Sequence, residues 1–297
     1  MMCPARAYSA DSEYKPLRSV LLYKPGPEIG RIERFKEVLH IKKIDYSKIC
    51  REYEQIIRLY KSLKIKVHLL KPLKSKSPDN RYLFNLMYTR DLLFMSTTGA
   101  IIAKMCHEVR RDKVNGIKIF LKSINIPITK TIEGEGTFEG ADALWINPKL
   151  VVVGVGNRTN KEGFLQIKGG LEAEGVRCIG VSASKGTLHL LGALQVIDSD
   201  LALVRVELVD TKTVDLLKEN KIKVIHIPEN SEVRNRQAMN IVTIASRKVI
   251  MPAGCPQTKK IYERHGIKIA AEVKIPQLVN GGGGLACSTA VLKRETK

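Results

Sequence analysis

The 297-residue chain is poor in aromatics, which make up 5% of it with a single tryptophan, and poor in acid, with thirty Asp and Glu against fifty Lys and Arg. The resulting charge of +20 attracts phosphates in principle. Yet the lysines are spread along the whole chain, and no segment interleaves aromatic with basic residues as a single-strand reader does. Nucleic acid is therefore not expected as the main partner, and the excess reads as the lysine-rich solvated surface that heat-adapted proteins carry. No apolar run reaches the ~18 residues of a membrane span. The opening "MMCPARAYSADSEYKPL" lacks the charged-then-apolar-then-small order of a signal peptide, so the expected location is the cytoplasm, without a membrane partner. The six cysteines (Cys3, Cys50, Cys106, Cys178, Cys255 and Cys287) include no CxxC pair and no Cys/His spacing suited to zinc. Neither a disulfide framework nor a metal site is expected.

What is present begins with a period. At 44% hydrophobic residues the chain can fill a core, and one phrase occurs five times: an amphipathic helix, a short polar turn, then a β-rich strand. The instances are "LYKSLKIKVHLL", "FLKSINIPIT", "GLEAEGVRCIGV", "LLKENKIKVIHI" and "YERHGIKIAAEV". Their first strand residues are expected at Ile65, Ile126, Val176, Ile222 and Ile267, separated by 61, 50, 46 and 45 residues. In "SKICREYEQIIRLYKSL", Ile49, Tyr53, Ile56, Ile57 and Tyr60 recur at helical spacing on one face. Between helices lie strand pairs, "DLLFMSTTGAIIAKM" with a turn at TTG and "DALWINPKLVVVGVG" with a turn at NPK. No such unit buries its apolar face alone, so the expected fold is α/β, a closed ring of five modules about an axis. Glu139 and His189 each fall thirteen residues after their unit's marker, which would point equivalent positions toward a shared centre.

Four polar clusters stand out: "NLMYTRD" ending at Asp91, "EGTFEGAD" with Glu139 and Asp142, "TLHLLGA" with His189, and "NGGGGLACSTAVL" with Cys287. Taken singly, each has a structural reading. Asp91 beside Arg90 makes an ion pair, Glu139 caps a loop, His189 between leucines is a hydrogen-bonded core residue, and a lone cysteine is inert. Four consecutive glycines are harder to dismiss, because they cost conformational entropy and are used where backbone must approach something closely.

Together these stretches resemble the guanidino-group-modifying enzymes of the pentein fold: arginine deiminases, dimethylarginine dimethylaminohydrolases and arginine:glycine amidinotransferases. The resemblance runs over nearly the whole chain, from "LRSVLLYKPGPEIGRI" through Asn85 and "YTRD", "AIIAKMCHEVRR", "FEGADALW", "LVVVGVGNRTN" and "LHLL" to "GGGGLACST". It implies a five-bladed α/β propeller, one domain over residues 1–297, and a hydrolase that uses no cofactor on a small guanidino substrate. By that resemblance Cys287 is the nucleophile, forming an S-alkylthiouronium intermediate, and His189 is the general acid and then the base. Asp91 and Glu139 hold the guanidinium, Arg110 and Arg158 with Asn85 bind an α-carboxylate, and Asp142 orients its neighbours. Deiminases and amidinotransferases carry His-x-Asp, whereas this chain reads His189-Leu190-Leu191. The dimethylaminohydrolases and the arginine dihydrolases also lack that aspartate; because the dihydrolases tend to place asparagine where this chain has Asp91, the resemblance favours the dimethylaminohydrolase branch, with arginine or a methylated arginine converted to citrulline. Two alternatives stay open, an amidinotransferase using an amine acceptor and a non-catalytic pentein binding protein, as does the oligomeric state, a homo-oligomer included.

Overall fold

In the computed structural model, residues 8–71, 81–110, 113–183 and 186–296 are described; Cys3 and Arg111 lie outside them. The elements run β1 (Leu17–Leu22), α1 (Tyr46–Ser62), β2 (Lys66–Leu69), β3 (Leu93–Met95), β4 (Ala100–Ile102), α2 (Lys113–Ser123) and β5 (Ile128–Thr131). Next come β6 (Ala143–Asn147), β7 (Leu150–Val155), α3 (Lys161–Glu172), β8 (Arg177–Ser182), β9 (Leu194–Asp198), β10 (Leu201–Val204), α4 (Thr211–Glu219) and β11 (Lys223–His226). The remainder is α5 (Ser231–Arg236), β12 (Val242–Ala245), β13 (Lys248–Pro252), α6 (Pro256–Arg264), β14 (Lys268–Val273), α7 (Pro276–Asn280) and β15 (Ala290–Arg294).

The strands form five three-stranded sheets: β15-β1-β2, β3-β4-β5, β6-β7-β8, β9-β10-β11 and β12-β13-β14. In each, the first two strands are antiparallel and the third joins the middle one in parallel. A helix links the middle strand to the third, the crossover a parallel pair requires. The first sheet is completed from the other end of the chain, since β15 pairs with β1.

The repeated phrase is a helix C-cap. In all five modules the residue before the marker takes the left-handed region: Lys64, Asn125, Gly175, Lys221 and Gly266, with φ between 58° and 75°. The marker's N–H then reaches back to the carbonyl five residues earlier, Ile65 to Tyr60, Ile126 to Leu121, Val176 to Leu171, Ile222 to Leu217 and Ile267 to Tyr262, at 2.9–3.0 Å. That is the Schellman closure, with an apolar residue turned into the core just past the helix. The strands themselves begin one or two residues beyond the markers. At the opposite ends, Asp45, Asn160, Asp210 and Asn230 cap α1, α3, α4 and α5, each accepting the backbone N–H three residues on. The innermost strands β3, β6, β9, β12 and β15 are almost wholly buried.

Candidate active site

One residue precedes each innermost strand. Asp91 lies on the turn Thr89–Leu92 before β3, Glu139 opens the turn Gly140–Asp142 before β6, and His189 opens Leu190–Gly192 before β9. Asn240 stands just before β12 and Cys287 just before β15. Module symmetry brings these five together at a cavity of ≈ 580 Å³, lined by Asp91, His189, Asn240 and Cys287 as well as Asn85, Arg110 and Arg158. Glu139 and Asp142 lie behind that lining, at 0% and 2% exposure. Ile41 and Leu188, both exposed, contribute to its wall. The first two inner ends are stitched directly: the Arg90 N–H donates to the Cys287 carbonyl at 3.0 Å, and the Ala290 N–H donates to the Thr89 hydroxyl at 3.1 Å. The Arg90 side chain turns away from Asp91 and donates to Glu13 at 3.0 Å.

The glycine run is required by what packs against it. A Cβ on Gly281 would stand 2.3 Å from the Tyr88 hydroxyl, and one on Gly283 would stand 2.4 Å from the Tyr88 ring. On Gly284 it would meet the Asn240 side chain at 2.7 Å, and Gly282 has φ +95°. Tyr88 threads between, its hydroxyl donating to the Leu278 carbonyl at 2.8 Å and accepting the Gly283 N–H at 3.1 Å. The backbone is thereby pressed against Tyr88 and Asn240, and Cys287 emerges at the cavity. Asn240 grips it twice: its Nδ2 donates to Sγ at 3.0 Å, and its Oδ1 accepts the Cys287 N–H at 3.1 Å.

Opposite the thiol is a buried knot of charge. Arg110 donates through Nη2 to Asp91 and through Nη1 to Glu139, both at 2.5 Å. His189 Nε2 also meets Glu139 Oε2 at 2.7 Å, its Nδ1 is 3.8 Å from Asp91, and Arg158 Nη1 is 3.6 Å from Glu139 Oε1. Burial alone would raise the Glu139 pKa, but Arg110 and the His189 hydrogen bond outweigh it and hold Glu139 well below the carboxylate range. Burial would likewise lower His189; the charge of Asp91 and the bond to Glu139 instead raise it to about 9, so His189 is a cation at neutral pH. For Cys287, burial and then the Asp91 charge push the thiol up to about 11, against the lowering effect of Asn240. Asp142, raised by burial to about 6, accepts from the Thr159 hydroxyl at 2.8 Å and the Leu190 N–H at 3.0 Å, fixing the backbone beside His189.

Asp91, Glu139 and His189 offer three ligand atoms within 4.8 Å of one another, a spacing compatible with a metal ion. A guanidinium already lies across the two carboxylates, however, bonding one oxygen of each and leaving Asp91 Oδ1 and Glu139 Oε1 without a hydrogen bond. Arg110, expected from the sequence to bind an α-carboxylate, here donates to the carboxylates of Asp91 and Glu139. Arg158 also leans toward Glu139. Asn85, buried in the wall, donates to the Val38 carbonyl at 2.6 Å. Asn240 was not singled out in the sequence. Its signal is position, two residues before the fifth module's inner strand, rather than the thirteen-residue spacing that relates Glu139 to His189.

Residues 28–294 match the family described as N,N dimethylarginine dimethylhydrolase, eukaryotic. The N(G),N(G)-dimethylarginine dimethylaminohydrolase of Pseudomonas aeruginosa is 27% identical over 248 residues, covering 84% of this chain and 90% of that protein. A structure of the P. aeruginosa enzyme, a cysteine-to-serine variant complexed with citrulline, superposes with a TM-score of 0.75 at 23% identity, covering 93% of this chain and 99% of that one. SxtG, an amidinotransferase from Microseira wollei in saxitoxin biosynthesis, also reaches 0.75, at 17% identity and 99% and 98% coverage. The five-module architecture is therefore the pentein fold. Among the described residues no helix is long and apolar enough to cross a membrane. The chain belongs to the N,N-dimethylarginine dimethylhydrolase family and is a hydrolase acting on guanidino C–N bonds.

Proposed function

We propose that the substrate is arginine carrying N-methyl substituents, cleaved to citrulline and the methylamine. The observation that carries this reading is that Asp91 and Glu139 already grip a guanidinium, that of Arg110, in the cavity lined by His189 and Cys287. Asp91 and Glu139 hold the substrate's guanidinium plane, and Sγ of Cys287 attacks its central carbon. With the thiol raised to about 11, the cationic substrate beside it is what favours the thiolate. His189, protonated at neutral pH, gives its proton to the departing amine as the C–N bond breaks, leaving an S-alkylthiouronium. The neutral imidazole then takes a proton from water as it attacks, and the C–S bond breaks to return the thiolate. Asp142 positions the His189 backbone, and Arg110, Arg158 and Asn85 receive the substrate's α-carboxylate. Residues 1–297 act here as one domain.

Leu191 lines the cavity beside His189, and an apolar side chain there suits methyl groups on the leaving nitrogen better than a bare amino group. The test is product analysis by mass after incubation with arginine, monomethyl- and dimethylarginine and agmatine, each with and without glycine or ornithine. Citrulline from methylated arginine without an acceptor is expected. Turnover only with an acceptor would instead make the enzyme an amidinotransferase resolving the same intermediate with an amine.

A further inference from the structure

The guanidinium between Asp91 and Glu139 belongs to the protein, and its placement bears on which guanidines can enter. Glu139 has no exposed surface and does not line the cavity; Arg110, 4% exposed, does. A substrate guanidinium therefore reaches Glu139 only when Arg110 has withdrawn. The guanidinium donates to the two carboxylates, and its Nε has no partner. Arg294 contrasts with it: its guanidinium is fastened to the backbone carbonyls of Lys15 and Thr243. Arg110 is the last residue of the single 3-10 turn Glu108–Arg110. Its acceptors are the ones the substrate needs, and the arriving group is chemically the same as the one that leaves.

We propose that Arg110 is the resident occupant of the guanidinium clamp and that the substrate's own α-carboxylate draws it out, so that the site selects guanidines bearing a carboxylate. The inference rests on reading Asp91 and Glu139 as the clamp. An amino-acid substrate exchanges charges pairwise: its guanidinium takes the carboxylates, and its carboxylate takes the displaced Arg110. Arg158, whose Nη1 lies 3.6 Å from Glu139 and has no hydrogen-bond partner, stands ready as the second arm of that new pair. A guanidine without a carboxylate leaves the displaced Arg110 charge buried and unmatched, the situation that low-dielectric sites penalise most. Discrimination thus begins with a self-contact that every ligand must undo.

The experiment measures binding by calorimetry for dimethylarginine, agmatine and methylguanidine to wild type, Arg110→Met, Arg110→Lys and Arg158→Met, with thermal melting as the folding check. Wild type should bind agmatine ~10²-fold or more weakly than dimethylarginine. Arg110→Met should bind methylguanidine at least ~10-fold more tightly than wild type, because the clamp no longer spends most of its time filled. The same variant should lose affinity for dimethylarginine. Arg158→Met should weaken dimethylarginine without tightening methylguanidine, and Arg110→Lys should still impede methylguanidine. A folded Arg110→Met that binds methylguanidine no better than wild type overturns the proposal, and so does a wild type indifferent to the carboxylate, which serves if Arg110→Met does not fold. Failure of all guanidines to bind any folded protein would instead bring down the clamp reading itself.

Discussion

The outer half of every module is alike and the inner end of every module is different. Outside, five helices finish in a left-handed residue, an identical backbone closure and a buried aliphatic marker. Inside, the segments leading into the five inner strands carry Asp91, Glu139, His189, Asn240 and Cys287, with no type repeated. The outer halves are determined by requirements local to each module, burying a face and ending a helix, so they converge on one solution. The inner ends meet one another across the axis, so each can be assigned a different task in one reaction without disturbing its own sheet. Architecture and chemistry are thereby separated along the length of each module.

Substitutions at the inner ends should affect turnover far more than stability, and Cys287→Ser should have the largest effect. It should abolish product formation, while serine at Cys50, Cys106, Cys178 or Cys255 leaves most activity. Mass spectrometry of acid-quenched wild type should find a substrate-derived adduct on the peptide containing Cys287, and normal turnover by the serine variant would end the covalent mechanism.

His189→Asn should lower both adduct formation and its hydrolysis by ~10²-fold or more, with melting temperature as the control that a merely structural histidine would shift instead. The pH profile follows from the same pair. The reactive state, thiolate with imidazolium, holds one proton fewer than the state dominant at neutral pH, where the thiol (about 11) and His189 (about 9) are both protonated. Consequently kcat/KM should climb by ~tenfold per pH unit from 7 toward about 9; a flat profile across that range would contradict the assigned protonation states. In stability the sign is opposite: the raised His189 pKa contributes below its ordinary value of 6.5 and is lost as pH rises through about 9.

Asn240→Ala tests the inner position that acts only through its neighbour. Losing one hydrogen bond to Sγ and one to the Cys287 N–H should cost about 1–1.5 kcal/mol in kcat/KM, ~10-fold, with a further rise of the thiol pKa measurable by the pH dependence of alkylation. At the outer ends the effects shrink and change kind. Lys64→Gly and Lys221→Gly relieve a left-handed strain of roughly 1–2 kcal/mol at the expense of a more flexible unfolded chain. A net gain of ~0.5 kcal/mol in urea unfolding is expected, with kcat unchanged; a loss of activity there would show that the two halves are not separable.

The same division explains what the sequence disclosed. The period was legible because a helix stripe, a polar turn and an aliphatic marker are all written within a dozen consecutive residues. Asp91, Glu139, His189 and Cys287 were legible through distinctive surroundings, above all the glycine run, which Tyr88 and Asn240 make obligatory. Asn240 was not, because "QAMNIV" contains nothing unusual and its meaning arises only when Cys287, 47 residues away, is folded against it. The position of Arg110 was hidden for a related reason: which carboxylates a long flexible side chain finds depends on three separate loops meeting. Sequence order pairs Arg90 with Asp91, whereas the fold gives Arg90 to Glu13 and Arg110 to Asp91.

The pairing of β15 with β1 has a consequence for synthesis. A chain emerging from the ribosome can complete its second through fifth sheets in order, but the first must wait with one edge open until residues 290–294 arrive. Contacts between segments so far apart in sequence form slowly, and an unpaired edge invites association. Cys287, proposed as the nucleophile, lies just before β15, so it meets Asn240, Tyr88 and the buried charges only as the first sheet is sealed. A chain not yet extended through β15 therefore carries Asp91, Glu139, His189 and Asn240 with no Cys287 set against them, and under the proposed mechanism chemical competence arrives together with the closure of the fold.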